Sequence, residues 1–218
     1  MTEESDHRCP LCLEVQAEVF ARITSAVPRL YYRCSHCDLV FLDISMRLSP
    51  EEEKARYLLH QNDLSSSTYR KYLQKMVEPI VDRQDQSKSR VLDYGCGPTR
   101  GIWHHWGNDF QVDSYDPLFF PCEFYVDHVY DFILCSEAAE HFYRPHLEWS
   151  KMAKLLKSGG WIILRTAYSP QRSEDFENWY YHRDPTHVCF YSPQSVDWIR
   201  KNFSLKIHSL LSGPRQKV

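Results

Sequence analysis

The sequence holds no apolar stretch that approaches the ~20 residues a membrane-crossing helix requires. It has no long run of lysine and arginine, and its formal net charge is −3, so it does not advertise non-specific binding to nucleic acid. The acidic, polar start Met1-Thr2-Glu3-Glu4-Ser5-Asp6 lacks the basic and apolar regions of a secretory signal. A soluble cytoplasmic protein is the expectation. Glycine is scarce as well: there are seven in 218 residues, and two of them alternate at positions 95 and 97. A chain of this length buries one core of roughly 150 residues plus a small appendage.

Those two glycines lie in Val91-Leu92-Asp93-Tyr94-Gly95-Cys96-Gly97-Pro98. An aliphatic run ends in a carboxylate, and the chain then has to turn sharply from a strand toward a helix. Glycine there tolerates positive φ and lets backbone approach a ligand with no Cβ in the way. The segment reads as a nucleotide-binding turn, although a short glycine-rich turn is a weak signal by itself.

The eight cysteines fall into two groups. Four form paired hooks, Cys9-Pro10-Leu11-Cys12 and Cys34-Ser35-His36-Cys37, with 21 residues between them. That spacing fits a tetrahedral four-thiolate zinc site of ribbon type, with strands over Tyr31-Tyr32-Arg33 and Leu39-Val40-Phe41-Leu42 bringing the hooks together. Two disulfides or idle thiols are the alternative. Ribbon hooks often carry glycine after the second cysteine. Leu13 and Asp38 stand there instead, and Asp38 tolerates left-handed backbone better than Leu13. The scattered Cys96, Cys122, Cys135 and Cys189 read as small buried residues of a reducing compartment.

Between the hooks and the glycine turn, Ser49-Pro50-Glu51-Glu52 signals a helix start: Ser49 as N-cap, Pro50 at the first position, Glu52 closing a capping box. This helix is expected to reach about His60. A second begins near Ser66 or Ser67, and its stripe Tyr69, Leu73, Met76, Val77 and Ile80 reads as core packing. The polar run Asp82 to Ser89 marks a boundary.

From Arg90 onward strand and helix signals alternate, which implies a parallel sheet with helices on both faces. Strands are expected over Val91–Tyr94, Gln111–Asp116, Tyr130–Ser136, Trp161–Thr166 and Leu205–Leu211. Helices are expected near Arg100–Trp106, from Pro145 to about Lys157, and from Pro193 to about Asn202 with Val196, Ile199 and Phe203 inward. The helix ending near Lys157 would bury Trp149, Met152, Ala153 and Leu156 and stop at Ser158-Gly159-Gly160. Asp116 closes its strand about 20 residues past the glycines, where a carboxylate would accept ribose hydroxyls.

Four segments in this order carry a resemblance: Val91 to Pro98, Tyr115-Asp116-Pro117, Cys135-Ser136-Glu137-Ala138-Ala139-Glu140-His141-Phe142, and Leu155-Leu156-Lys157-Ser158-Gly159-Gly160-Trp161. They resemble successive motifs of class I S-adenosylmethionine-dependent methyltransferases, and the group most similar is the ubiquinone-biosynthesis-like subfamily with an N-terminal zinc ribbon. Thr99 stands where a third small residue, often glycine, is usual. The resemblance implies an α/β, Rossmann-like sheet preceded by a small ribbon. It divides the chain into a zinc ribbon (1–45), a helical connector (46–88) and an S-adenosylmethionine-binding domain (89–218). It implies cofactor contacts from Asp93, Gly95, Gly97, Asp116, Cys135, Ser136 and Glu137, and structural zinc on Cys9, Cys12, Cys34 and Cys37. A dinucleotide is the alternative ligand for the turn.

Methyl transfer is an in-line displacement that needs a base only when the acceptor must lose a proton. Two elements offer histidine: Glu137-Ala138-Ala139-Glu140-His141, and the aromatic insertion from Trp179 to Tyr191 that contains Arg183, Asp184 and His187. Glu-x-x-Glu-His resembles the metal motif of some ubiquinone-pathway O-methyltransferases and of small-RNA 3′-terminal 2′-O-methyltransferases, in which a later histidine completes the site. His187 falls at that later position, so Glu137, Glu140, His141 and His187 are candidates for a second divalent metal. In the metal-free alternative Glu137 touches cofactor and Glu140-His141 caps the following helix. His187 and His141 are the catalytic candidates, while His182, His104 and His105 read as surface or packing histidines. The implied activity is methyl transfer to oxygen or nitrogen of a small molecule, a modified nucleoside or RNA. The alternative is an inactive cofactor-binding scaffold that docks RNA or protein through the ribbon. No membrane partner is expected.

Overall fold

A computed structural model describes residues 8–15, 17–24, 27–59, 62–83, 89–121 and 126–211. Cys122 and His60 lie outside the described residues. Two sheets organise the chain. The first is antiparallel, in the order β1 (Ala17–Ile23), β2 (Arg29–Cys34), β3 (Val40–Leu42) and β8 (Cys189–Phe190). The second is parallel, in the order β5 (Gln111–Tyr115), β4 (Arg90–Tyr94), β6 (Tyr130–Ser136), β7 (Leu156–Thr166) and β9 (Ile207–Leu211). This is a Rossmann-like α/β sheet with a small ribbon before it.

Strand periodicity assigns the faces of the parallel sheet, since successive residues point to opposite sides. Val91, Phe132, Leu134 and Ile163 face Leu73, Met76, Val77 and Ile80 of helix α2 (Ser67–Val81) and Ile102 of α3 (Gly101–Trp106). Leu92, Ile133, Cys135, Ile162 and Leu164 face the other way, toward Trp149 and Met152 of α4 (Pro145–Leu155) and Val196 and Ile199 of α6 (Pro193–Asn202). Burial on both faces is why these strands read as near-continuous apolar runs. The second cluster runs on without a break into Tyr31, Leu39, Val40 and Leu42 of the ribbon.

Helix α1 (Pro50–Tyr57) starts on the expected capping box: Ser49 accepts from the Glu52 amide at 3.3 Å, and Glu52 accepts from the Ser49 amide at 2.8 Å. It ends at Tyr57, three residues short of the expected limit. The end of α4 also differs from expectation. Leu156 is already extended and pairs with Tyr130, while Phe132 pairs with Trp161, so residues 157–160 bulge opposite Asp131 alone. Gly159 takes φ +83°, and a Cβ on Gly160 would meet the Asp131 carbonyl at 2.9 Å. The two glycines therefore serve a bulge inside β7 and not a helix stop. Sequence reasoning also missed β1, β8 and helix α5 (Ser173–Asn178). β1 is mixed in pattern and pairs with β2, whereas β8 is only two residues long and forms against β3, and α5 packs on β1.

The strand order turns back at β4, with β5 on one side and β6 on the other. A crevice opens at the carboxyl ends of β4 and β6, the ligand position of open parallel sheets. Among the described residues no helix is long and apolar enough to cross a membrane.

Candidate active site

The two cysteine hooks meet. Cys9 Sγ lies 3.5 Å from Cys37 Sγ and Cys12 Sγ lies 3.5 Å from Cys34 Sγ, with all four sulfurs within 4.8 Å of one another. A disulfide would need ~2.05 Å, whereas a zinc tetrahedron with Zn–S of ~2.3 Å has edges of about 3.8 Å. Both knuckles are built alike: Leu13 (φ 66°) donates to the Cys9 carbonyl at 3.0 Å, and Asp38 (φ 62°) donates to the Cys34 carbonyl at 2.9 Å. Leu13 thus adopts the left-handed backbone that its side chain disfavours. Metal analysis of protein purified under reducing conditions is expected to return one zinc per chain, lost in a Cys34→Ser variant. A wild-type preparation without zinc would end the assignment.

The crevice opens into a cavity of about 610 Å³ lined by Asp93, Gly95, Cys96, Gly97 and Pro98 at one end and by His141, Tyr181, Arg183, Asp184 and His187 at the other. The glycine turn is locked to the next strand. Gly95 and Cys96 donate to the Tyr115 carbonyl at 2.8 and 3.1 Å, and Gly97 donates to the Asp116 carboxylate at 3.0 Å. The other Asp116 oxygen accepts from the amides of Leu118 and Phe119. Asp116 does not line the cavity, so its carboxylate shapes the turn before it meets any ligand. Gly97 has φ +61° with nothing within 4 Å of a built Cβ, which leaves its open side to the cavity. Burial, then the nearby Asp116 charge, pushes the Asp93 carboxyl up to about 7. A cationic ligand group beside it would relieve that penalty.

Of the three residues expected along the cofactor at the end of β6 and just beyond it, Ser136 and Glu137 line the cavity and Cys135 does not. The Cys135 side chain is fully buried on the opposite face of the strand, where alternation must put it if Leu134 and Ser136 face the crevice. Helix α2 contributes what its stripe alone did not reveal. Tyr69, Leu73 and Met76 both pack in the core and line the cavity, and Tyr72, off that stripe, donates or accepts a 2.8 Å bond with Ser136.

At the far end three ligand-type atoms, from Glu140, His141 and His187, lie within 4.8 Å of one another. The rings of His141 and His187 are 4.7 Å apart. His141 Nδ1 is 3.0 Å from the Thr186 carbonyl and His187 Nδ1 is 2.7 Å from the Tyr181 carbonyl. A carbonyl only accepts, so each neutral ring carries its hydrogen on Nδ1 and its lone pair on Nε2. Glu140 is fully buried, accepts from Thr166 at 3.1 Å and bonds the Tyr181 hydroxyl. Burial first, and then the Glu137 charge, drives its carboxyl well above the usual range. Glu137 is not in this cluster. It sits at φ 49°, accepts from Tyr181 at 2.9 Å and pairs with Arg165 at 3.5 Å, so the expected four-residue metal set shrinks to three. Its carboxylate shares the Tyr181 hydroxyl with Glu140 but turns toward Arg165 and stays outside the three-residue group. Asp184 is held at about 2: burial pushes it up, but hydrogen bonds from Thr186 and the charges of His187 and Arg56 outweigh that. His182 is buried and stacks on Phe176 as packing, and His104 is exposed. Arg56, Tyr57, Tyr72 and Arg165 also line the cavity, and no spacing rule in the sequence marked them.

The sequence matches the methyltransferase domain family over residues 65–210, about two thirds of the chain. The chain belongs to this family. It is a class I S-adenosylmethionine-dependent methyltransferase, and the matched span contains both the glycine turn and the histidine cluster. Among solved structures the methyltransferase is similar to the YcgJ protein of Bacillus subtilis, at 18% identity over 60% of this chain and 68% of that one, with a TM-score of 0.44. No curated protein matches.

Proposed function

We propose that this methyltransferase moves the methyl group of S-adenosylmethionine to an oxygen of a small molecule or a modified nucleoside, with His187 beside the methyl as base or metal ligand. One observation carries the reading: two histidines held by their Nδ1–H groups stand next to buried Glu140 on the wall of the cavity that begins at the glycine turn. In the displacement, an acceptor oxygen bonds to the methyl carbon while the carbon–sulfur bond breaks and the cofactor leaves as a neutral thioether. The hydroxyl proton passes to Nε2 of His187, which makes a base worth having for oxygen. A nitrogen acceptor with an available lone pair has less need of it. The cavity must hold cofactor and acceptor together, and about 610 Å³ is mid-range for one drug-sized ligand. The acceptor is therefore small, or only the terminal nucleoside of something larger enters.

Asp93, Gly95, Gly97, Ser136 and Glu137 are the residues this reading places along the cofactor, with Asp116 supporting the turn. The division into ribbon, connector and catalytic domain, the likeness to ribbon-bearing ubiquinone-biosynthesis methyltransferases, and a reducing, cytoplasmic setting belong to the same proposal. They are supported by the four-thiolate geometry, since thiolates stay available to metal only where disulfides do not form. Glu140, His141 and His187 have the two-histidine, one-carboxylate make-up that suits a divalent ion. Such an ion would polarise the acceptor hydroxyl.

Two measurements test the reading. Purified protein incubated with radiolabelled S-adenosylmethionine and fractionated cell extract is expected to label one acceptor fraction; transfer to none would favour the scaffold alternative. Added magnesium or manganese is expected to raise turnover after mild chelation. Turnover indifferent to chelator would leave His187 as a base without metal.

A further inference from the structure

The segment that carries His187 is gripped by the N-terminal unit on both sides of the histidine. Before it, Arg29 Nη1 donates to the carbonyls of His182 at 3.3 Å and Asp184 at 3.4 Å, and the Tyr31 hydroxyl donates to His182 O at 3.5 Å. After it, the Leu42 amide donates to the Val188 carbonyl at 2.9 Å, and Val40 and Phe41 pair with Phe190 and Cys189 as β3 meets β8. Tyr181, whose carbonyl holds His187 Nδ1 and whose hydroxyl bonds Glu140, sits one residue ahead of the first carbonyl that Arg29 holds. Two carbonyls converging on a guanidinium make charge-assisted bonds, stronger than neutral ones. The strand that presents Arg29 and Tyr31 ends at Cys34, in the second hook.

We propose that Arg29 is a positioning residue for His187, and that the four-cysteine unit serves methyl transfer by holding the histidine turn as the rear wall of the acceptor site. This rests on the reading of His187 given above. The ribbon is then built into the site, and its metal-binding hooks anchor the strand from which Arg29 reaches.

The test uses the full chain, zinc-loaded and labelled with ¹⁵N-histidine, at a pH where the rings are neutral. Wild-type His187 is expected to show a single Nδ1–H tautomer. An Arg29→Met variant is expected to lose that signature while keeping zinc and S-adenosylmethionine affinity, and Arg29→Lys to recover part of it. An unchanged His187 signature in Arg29→Met would overturn the proposal. Should that variant fail to fold, amide exchange of the wild-type chain decides. On zinc chelation, protection is expected to fall together at Leu42 and across residues 182–190 and to persist in β4 and β6. An insertion that stays protected while the hooks open would overturn the proposal equally. Cofactor affinity is read in parallel, so a wild-type chain that binds no S-adenosylmethionine sinks the functional reading and leaves the Arg29 comparison intact.

Discussion

A Gly97→Arg variant is expected to lose S-adenosylmethionine binding altogether while remaining folded. The wild-type protein is expected to bind the cofactor and its demethylated product in the micromolar range, about −8 kcal/mol by calorimetry. At Gly97 a built Cβ meets nothing within 4 Å, and the residue lines the cavity, so a long side chain has one direction to go: into the space the cofactor would occupy. Its φ of +61° adds strain that an arginine tolerates poorly, of order 1–2 kcal/mol, small against the loss of the ligand site. Gly95 is the contrasting control. A Cβ there would stand 2.5 Å from the Ala138 Cβ, so Gly95→Ala should damage the β4 turn and the β6 loop themselves and lower thermal stability as well as affinity. Full cofactor binding by Gly97→Arg would put the cofactor somewhere else.

His187→Ala is expected to cut turnover by roughly 10²-fold or more and to leave cofactor affinity unchanged. The ring lines the cavity at the end away from the glycine turn, and its Nδ1 bond to the Tyr181 carbonyl directs the basic Nε2 away from that loop. His141→Ala should have a comparable effect only if both rings act on one ion. A large loss in His187→Ala with a mild one in His141→Ala would indicate a base acting alone. Once an acceptor is in hand, full activity in His187→Ala would remove that residue from the mechanism and most of the case for an oxygen acceptor.

The motifs that could be read from residue order are those in which one short segment does one physical job. The glycine turn, the capping box at Ser49 and the cysteine hooks each need particular residue types at fixed local spacing, and the structure has them where expected. The bulge at Gly159 and Gly160 was misread because glycines mark a helix stop and a strand bulge equally well. The difference lies in Tyr130 pairing with Leu156, a partner 26 positions away. Glu137 belongs with Glu140 on spacing, yet its carboxylate turns to Arg165 and the Tyr181 hydroxyl and stays out of the group that Glu140 forms with His141 and His187. Cys135 fell on the wrong side of its strand by one residue of alternation.

Local chemistry therefore decided the class of the protein: near-continuous apolar strands separated by helical segments imply a parallel sheet covered on both faces, and bare glycines after the first strand, followed by the later motifs in order, imply a ligand turn. Tertiary packing decided the rest. It set Glu140, His141 and His187 together across 47 residues of chain, drew Arg56, Tyr57, Tyr72 and Arg165 into the cavity wall, and joined β3 to β8 so that the ribbon backs the histidine turn. None of those contacts has a sequence period, because each is made between elements whose approach is governed by the burial of other residues altogether.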